Sequence, residues 1–285
     1  MEELPIADGG EGTGDVLAAA LGGRWETAEV TGPLGQLVRA RWLLLPDGTA
    51  VVESAEAVGL ALVAAAERDP LRASSRGVGE LMLAALGGGA RALLVGVGGT
   101  ATVDGGAGLL EAVGDRLAGV PLRVACDVTN PLLGERGAAR VFGPQKGAGP
   151  EAVDQLERRL AGAKALEPFR DLPGAGAGGG LGAALASLGG ELVPGAKLVL
   201  DAIGFDKRAA GADLVVTGEG TVDATTLAGK APGAVVVRCE RLGVRCELFG
   251  GLVRDGVPAH ALSGDPAAVV ADLEQLGAQL AELAL

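Results

Sequence analysis

Tyrosine is absent from this 285-residue chain, and aromatic residues make up only 2% of it. Leucine, valine and alanine must therefore build the core, and a hydrophobic content of 48% is sufficient for one. The single histidine, His260, lies in a segment flanked by glycine and proline, which argues against catalysis based on histidine. The three cysteines (126, 239 and 246) lack the spacing of metal ligands, so we expect free thiols and a cytosolic location.

Positive charge is also scarce, and the formal net charge is −12. This balance argues against nucleic acids and anionic membranes as partners. No segment has the length and hydrophobicity of a membrane span, and the N-terminus lacks the pattern of a signal peptide. Because the whole chain repels anions, any phosphate or carboxylate of a substrate must be held by local groups.

The densest cluster of glycines forms the stretch Val95-Gly-Val-Gly-Gly-Thr-Ala-Thr-Val-Asp-Gly-Gly-Ala-Gly108. An apolar run precedes it and an apolar-periodic segment follows, an order that predicts strand, glycine loop and helix. Six glycines would weaken a regular element by roughly 0.5–1 kcal/mol each. Bare N–H groups before a helix instead form an anion site. Asp104 would repel an anion unless a cation lay between them, so this glycine loop (residues 96–108) predicts a site for phosphate plus metal.

Two other interpretations of the glycine loop stay open. The segment Gly96-Val-Gly-Gly-Thr-Ala101 matches the G-x-G-x-x-A fingerprint of dinucleotide-binding proteins. The match is weak because a polar segment with Asp104 separates these glycines from the expected helix. A glycine turn with a purely structural role is the second alternative.

The order of the elements predicts an α/β protein of two domains, the usual number at this length. Polar loops follow apolar strands repeatedly, and open α/β sheets bind ligands at the carboxyl ends of their strands. Residues 24–30, 37–45 and 49–53 instead read as an antiparallel meander, because Pro46-Asp-Gly48 is a turn signal. Such a meander among βα units is typical of an inserted or second domain.

Acidic residues recur in the glycine- or asparagine-rich loops that follow the apolar strands: Asp8, Asp104, Asp127, Glu219 and Asp223. Taken singly, each is more typical of a helix cap or a turn. Together they suggest a converging cluster, since Mg²⁺ is bound through one or two carboxylates plus substrate phosphates. One carboxylate could also accept a hydroxyl proton during phosphoryl transfer. The residues alone therefore favour a phosphotransferase that uses a magnesium nucleotide and a small substrate.

Two of the five lysines, Lys146 and Lys230, lie in loops flanked by glycine. The segment from Gly218 to Lys230 fails the P-loop pattern, because Ala231 replaces the required serine or threonine. A lysine beside glycine could still reach a phosphate. The alternative is a solvated surface side chain, and the scarcity of lysine shifts our interpretation towards function for these two.

Several long motifs resemble those of the type 1 glycerate kinase family and occur in the family's order. They are Ala7-Asp-Gly-Gly-Glu-Gly-Thr13, Val97-Gly-Gly-Thr-Ala-Thr-Val-Asp-Gly-Gly106, Ala125-Cys-Asp-Val-Thr-Asn-Pro-Leu132, Phe142-Gly-Pro-Gln-Lys-Gly147 and Thr217-Gly-Glu-Gly-Thr-Val-Asp223 with Gly229-Lys230. The resemblance implies phosphorylation of D-glycerate by ATP with Mg²⁺, giving 2- or 3-phosphoglycerate. It also implies a Rossmann-like domain built from both chain ends (1–23 plus 204–285), an inserted flavodoxin-like domain (24–203), and an active site in the cleft between them.

Residues and resemblance together yield one set of predicted site residues. The predicted catalytic residues are Asp104, Asp127, Lys146 and Asp223, and Asp104 and Asp127 are also the predicted Mg²⁺ ligands. The predicted ATP-binding residues are Gly98, Gly99, Thr100, Gly105, Gly106, Glu219 and Lys230, and the predicted glycerate-binding residues are Asp8 and Glu11. Which acid is the general base, and whether the chain is a monomer or a homodimer, stay open.

The chain departs from the family pattern at several points. It lacks the family's opening strand and helix and a segment between Gly114 and Asp115. Thr221 stands where the family usually has arginine, an always-charged bidentate donor. These departures keep an alternative open, in which a shortened, non-catalytic relative binds nucleotide or glycerate without turnover.

Overall fold

The structure is a computed structural model that describes residues 2–227 and 229–283. Internal contacts divide the chain into two compact units, Met1–Val199 and Leu200–Leu285. Helices and strands occur in both units, and most strand pairs are parallel. This architecture confirms the predicted α/β fold class.

A six-stranded sheet forms the centre of the first unit, with its strands in chain order. They are β1 (Arg24–Thr31), β2 (Leu37–Leu44), β3 (Thr49–Glu53), β4 (Ala92–Gly96), β5 (Leu122–Cys126) and β6 (Glu191–Pro194). The first three pair antiparallel, which confirms the predicted meander. The pairs from β3 to β6 are parallel, so the meander continues directly into the parallel part of the same sheet.

Helices cover the sheet and add a second apolar cluster to the first unit. They are α1 (Thr13–Leu21), α2 (Ser54–Val58), α3 (Arg76–Gly87), α4 (Ala107–Val113), α5 (Ala138–Phe142), α6 (Pro150–Ala161), α7 (Ala177–Ser187) and α8 (Gly195–Ala202). One core lies between the sheet, α3 and α4, and the other lies among α5, α6 and α7. The apolar run of β4 is buried almost throughout, as expected for a parallel strand covered on both faces.

The second unit contains a three-stranded parallel sheet in the order β7 (Val215–Val222), β8 (Cys246–Val253) and β9 (His260–Ala261). Its helices are α9 (Phe205–Ala209), α10 (Ala231–Leu242) and α11 (Val269–Leu283). Arg238 on α10 is buried and forms ion pairs with Asp201 and Asp206. Within residues 2–227 and 229–283, every helix is too short or too polar to cross a bilayer.

Two predicted helices differ from the structure at glycines. The sequence predicts a helix over 58–68, but α2 ends at Gly59, which is extended and pairs with Thr100 of the glycine loop. Two 3₁₀ turns, Leu60–Leu62 and Ala65–Glu67, follow instead. The helix predicted over 152–166 ends at Ala161 because Gly162 caps α6, and a 3₁₀ turn completes the segment.

The N-terminal segment packs against the large sheet within the first unit. α1 packs on β2 and β3, and Glu53 at the end of β3 accepts hydrogen bonds from the N–H groups of Gly12 and Gly14. A Cβ atom on Gly9 would lie 2.8 Å from Gly195 and 2.9 Å from Ala125. Internal contacts place residues 1–23 in the same compact unit as the large sheet, and the predicted domain that joins residues 1–23 to 204–285 stays a prediction.

Candidate active site

A cleft of about 480 Å³ lies where β4 and β5 end, within the first unit. Parallel strands bring their carboxyl-terminal loops together at this edge, which is the usual ligand position in α/β sheets. The predicted site residues that line the cleft are Asp8, Glu11, Gly98, Gly99, Thr100, Asp127 and Lys146. The structure therefore brings together residues from four separate motifs.

Lys146 is the cation of this cleft and is only 3% exposed. Its Nζ donates hydrogen bonds to Thr100 Oγ1 at 3.0 Å and to the Thr102 carbonyl at 2.8 Å. Burial lowers the pKa of Lys146 from 10.5 to about 7, and the negative charge of Asp104 partly opposes that change. A solvated surface role is thus excluded, and the charge of Lys146 depends on what binds beside it.

The first part of the glycine loop approaches the cleft as bare backbone. The Gly98 N–H donates to Ser54 Oγ at 3.3 Å, and the same hydroxyl donates to the Gly98 carbonyl at 3.1 Å. Gly99 has a φ of +61°, and a Cβ atom there would lie 2.1 Å from Glu11 Oε1. Glycine at this position therefore lets the acidic N-terminal loop lie directly against the glycine loop.

The N-terminal loop (residues 8–12) carries Asp8 and Glu11 into the same cleft. Asp8 Oδ1 accepts a hydrogen bond from Gly10 N, which keeps the turn closed. Glu53 anchors the other end of the loop through Gly12 N and Gly14 N. Burial raises the pKa of Glu53, and these two N–H donors act against that rise.

Asp104 serves the structure of the glycine loop. Its Oδ2 accepts hydrogen bonds from Ser75 N, Ser75 Oγ and Gly108 N, and its Oδ1 accepts one from Gly106 N. These donors lie at the start of α4 and beside α3, so the carboxylate acts as a helix cap. The described residues that line the cleft do not include Asp104, Gly105 or Gly106.

Gly105 and Gly106 pack against α7 instead of facing the cleft. Both have positive φ angles, and the Gly105 N–H donates to the Gly179 carbonyl at 3.0 Å. A Cβ atom on Gly106 would lie 2.2 Å from the Ala184 Cβ atom. The structural interpretation of these two glycines, which the sequence left open, is therefore supported.

The remaining predicted site residues cluster in the second unit. Glu219 on β7 accepts hydrogen bonds from Thr226 Oγ1 and, at 3.5 Å, from Lys230 Nζ. Asp223 Oδ1 accepts hydrogen bonds from Thr225 Oγ1 and Thr225 N, and these lower the pKa of Asp223. Lys230 precedes α10 directly. The second unit thus carries its own small group of one lysine and two carboxylates.

The carboxylates that line the cleft fit Mg²⁺ bound together with phosphates. Among the described residues, no group of three histidine, cysteine, aspartate or glutamate side chains is placed to hold a metal ion. Mg²⁺ does not require such a cage, since it usually binds one or two carboxylates plus phosphate oxygens. Asp8, Glu11 and Asp127 supply carboxylates at this position, since all three line the cleft.

Sequence reasoning missed Glu53 and Ser54, which hold the two cleft loops. Both are buried at the junction of β3 and α2. The available signal was a glutamate at the end of the apolar strand Thr49-Ala-Val-Val-Glu53. A buried carboxylate is costly unless donors are provided for it, so its position pointed to nearby N–H groups.

Comparisons with known proteins agree with this site. The model of the glycerate kinase family matches residues 1–118 and 113–279, in two pieces that overlap at residues 113–118. Glycerate 2-kinase of Escherichia coli K12 is 44% identical over 267 residues, covering 80% of this chain and 70% of that protein. Glycerate kinase of Bacillus subtilis 168 is 45% identical over 268 residues, covering 81% and 70%.

A solved structure extends the similarity to three dimensions. The crystal structure of a Salmonella typhimurium LT2 protein, provisionally named glycerate kinase 2, superposes with a TM-score of 0.76. That protein is 40% identical, and the match covers 88% of this chain and 79% of the other. On these grounds the chain belongs to the glycerate kinase family and is a kinase that uses ATP to phosphorylate a small molecule.

Proposed function

We propose that this protein transfers the γ-phosphoryl group of ATP to a hydroxyl of D-glycerate, giving 2- or 3-phosphoglycerate. The observation that carries the proposal is the cleft in which buried Lys146 and the bare backbone of Gly98 and Gly99 face three carboxylates. The names of the relatives, glycerate kinase and glycerate 2-kinase, support the choice of acceptor.

Phosphoryl transfer needs positioning and charge stabilisation more than covalent help from the protein. The glycerate hydroxyl oxygen forms the new bond to the γ-phosphorus and gives its proton to a carboxylate of the cleft, while the bond to the leaving ADP oxygen breaks. In this proposal the N–H groups of residues 98–100 bind phosphate oxygens, and Lys146 donates its remaining N–H to an anionic oxygen of the substrate. Two of its three N–H groups already bind Thr100 and Thr102, so its direction is set.

Asp127 is the acid that we assign to Mg²⁺, because it follows β5 directly and lines the cleft. Bound Mg²⁺ would neutralise charge on the phosphates. Asp8 and Glu11 are assigned to the glycerate hydroxyl groups, since carboxylates accept hydrogen bonds from hydroxyls. Roles of Glu219 and Lys230 in ATP binding and of Asp223 in catalysis stay predictions. A direct catalytic or metal-binding role of Asp104 stays a prediction.

The test is a coupled assay of ADP release with D-glycerate and magnesium ATP. We expect turnover by the wild type, and a fall of roughly 100-fold or more in kcat/KM for Asp127→Asn, as when a charged group at a reacting phosphate is lost. Asp171→Asn is the matched control, since its side chain is 85% exposed beside Arg170. Wild type that binds ATP and D-glycerate without releasing ADP would contradict the proposal and support the non-catalytic alternative.

A cytosolic location is part of the proposal and rests on the sequence. Cys126 and Cys239 are buried free thiols, as expected of a protein from a reducing compartment. A homodimer is the second open point, and light scattering after size-exclusion chromatography would measure it directly.

A further inference from the structure

Two adjacent buried polar residues, Glu53 and Ser54, stand behind the cleft. Glu53 is 6% exposed and Ser54 is fully buried. The described residues that line the cleft do not include Glu53 or Ser54. Each nevertheless binds one of the two loops that form its wall. Burying a carboxylate and a hydroxyl side by side is costly unless both are hydrogen-bonded, so their partners indicate what they do.

Glu53 binds the backbone at the end of the N-terminal loop. Its Oε1 accepts a hydrogen bond from Gly14 N at 2.6 Å, and its Oε2 accepts one from Gly12 N at 3.1 Å. A Cβ atom on Gly14 would lie 3.1 Å from Glu53 Oε1 and 2.6 Å from the ring of Trp25. The carboxylate therefore fixes the start of α1, and with it the short loop that carries Asp8 and Glu11.

Ser54 holds the glycine loop in the same way. Its hydroxyl donates to the Gly98 carbonyl at 3.1 Å and accepts from Gly98 N at 3.3 Å. Parallel pairing places Glu53 beside Gly96, where a Cβ atom would lie 2.6 Å from the Gly9 carbonyl oxygen. Both loops thus meet at one dipeptide that is itself fixed at the end of β3.

We propose that Glu53 and Ser54 are positioning residues of the kinase. Glu53 sets the position of the loop with Asp8 and Glu11, and Ser54 sets the position of the Gly98 segment. This inference rests on the proposed function, in which the first loop binds glycerate and the second binds phosphate. The two residues therefore serve different substrates, although they are neighbours in the chain.

Kinetics of Glu53→Gln and Ser54→Ala test this division. We expect Glu53→Gln to raise KM for D-glycerate roughly fivefold or more and to leave KM for ATP within about twofold, because displaced loops weaken the contacts they carry. Ser54→Ala should do the reverse. A residue needed only for folding would not separate the two KM values in opposite directions.

Matched controls come from the same unit. Glu80, like Glu53, accepts a hydrogen bond from a distant backbone, Thr31 N at 2.7 Å. Ser187 donates to the Ala184 carbonyl at 2.7 Å within α7. Glu80→Gln and Ser187→Ala should lower stability without changing either KM. Equal kinetic losses in controls and test variants would overturn the inference, as would unchanged KM values in both test variants.

Hydrogen exchange gives a readout that does not require turnover. Glu53→Gln should speed exchange at residues 9–14, and Ser54→Ala at residues 97–101, each at least roughly tenfold above the matched control, since a lost anchor lowers the local opening free energy. If the wild type fails to release ADP, the proposed function fails while this exchange pattern still decides the positioning roles. Exchange that rises uniformly over the first unit would refute them.

Discussion

The environment of Lys146 allows its amine to change protonation state near neutral pH. Its Nζ is enclosed by Thr100 and Thr102, and burial places its pKa at about 7 against an ordinary value of 10.5. Below pH 7 the side chain is protonated in both the folded and the unfolded chain. Between pH 7 and 10.5 the unfolded chain binds more protons, so the stability of the folded chain rises with pH.

A comparison of the wild type with Lys146→Met isolates this effect. We expect the free energy of unfolding of the wild type to rise relative to the variant between pH 7 and 10, by up to roughly 4 kcal/mol, since one pH unit corresponds to about 1.4 kcal/mol for one proton. Urea unfolding at several pH values measures the difference. Lys164→Met is the control because Lys164 is exposed. Parallel pH profiles of the wild type and Lys146→Met would show that the buried amine keeps its charge.

Two acids with similar sequence surroundings, Asp104 and Asp127, have different environments in the structure. Asp104 and Asp127 both follow apolar strands in loops rich in polar or small residues. In the structure Asp127 lines the cleft, whereas Asp104 receives four hydrogen bonds from protein donors. Those donors include Ser75, which is distant in the sequence, so the local pattern could not distinguish a cap from a ligand.

At the scale of single elements, α7 contains the most restricted backbone near the site. Gly178, Gly179 and Gly180 have φ angles of 60°, 75° and 100°, so the backbone near the start of α7 is kinked and not helical at these residues. A Cβ atom on Gly179 would lie 1.9 Å from the Thr102 carbonyl oxygen, which is also an acceptor of the hydrogen bonds of Lys146. Close approach of α7 to the glycine loop therefore requires glycine at this position.

Gly179→Ala should destabilise the protein through both a left-handed backbone and a backbone clash. Gly189→Ala is the matched control, since Gly189 has a φ of +86° and open space around it. We expect the control to cost about 1 kcal/mol, and Gly179→Ala at least roughly 2 kcal/mol more. Thermal unfolding measures both. Similar losses for the two variants would mean that α7 moves away from Thr102 without penalty.

Elements with local signals were predictable, and those set by distant contacts were not. The meander follows from alternation and from Pro46-Asp-Gly48, and the structure confirms it. The segment after Val58 has a helical period but pairs with Thr100 through Gly59. β7 extends to Val222, past its predicted end at Thr217, because residues 218–222 continue to pair with β8. Tertiary contacts override local preference in both segments.

At the scale of the whole molecule, the motifs predicted the family correctly, and the grouping of the chain into two domains stays a prediction. Motif residues are the ones with which a loop makes its contacts, and seven of the predicted site residues line one cleft. The assignment of residues 1–23 depends on backbone packing, such as Gly9 against Gly195. Composition and spacing contain no information about such a close approach.

The net negative charge of the whole molecule affects how an anionic substrate approaches it. The chain carries −12, and the cleft pairs one buried lysine with three carboxylates, so an approaching glycerate anion is repelled over long distances. Screening shortens this repulsion, because the Debye length falls from about 30 Å at 0.01 M salt to about 8 Å at 0.15 M. We therefore expect kcat/KM for D-glycerate, at saturating magnesium ATP, to rise roughly two- to tenfold over that range.

Two salts with different anions at equal ionic strength separate screening from competition by the anion for the cleft, since screening depends only on ionic strength. A rise that is the same in both salts would establish long-range repulsion by the acidic surface. A steady fall with salt would mean that Lys146 and the N–H groups of the glycine loop dominate the field that a substrate meets, and that the net charge of the chain does not govern its approach.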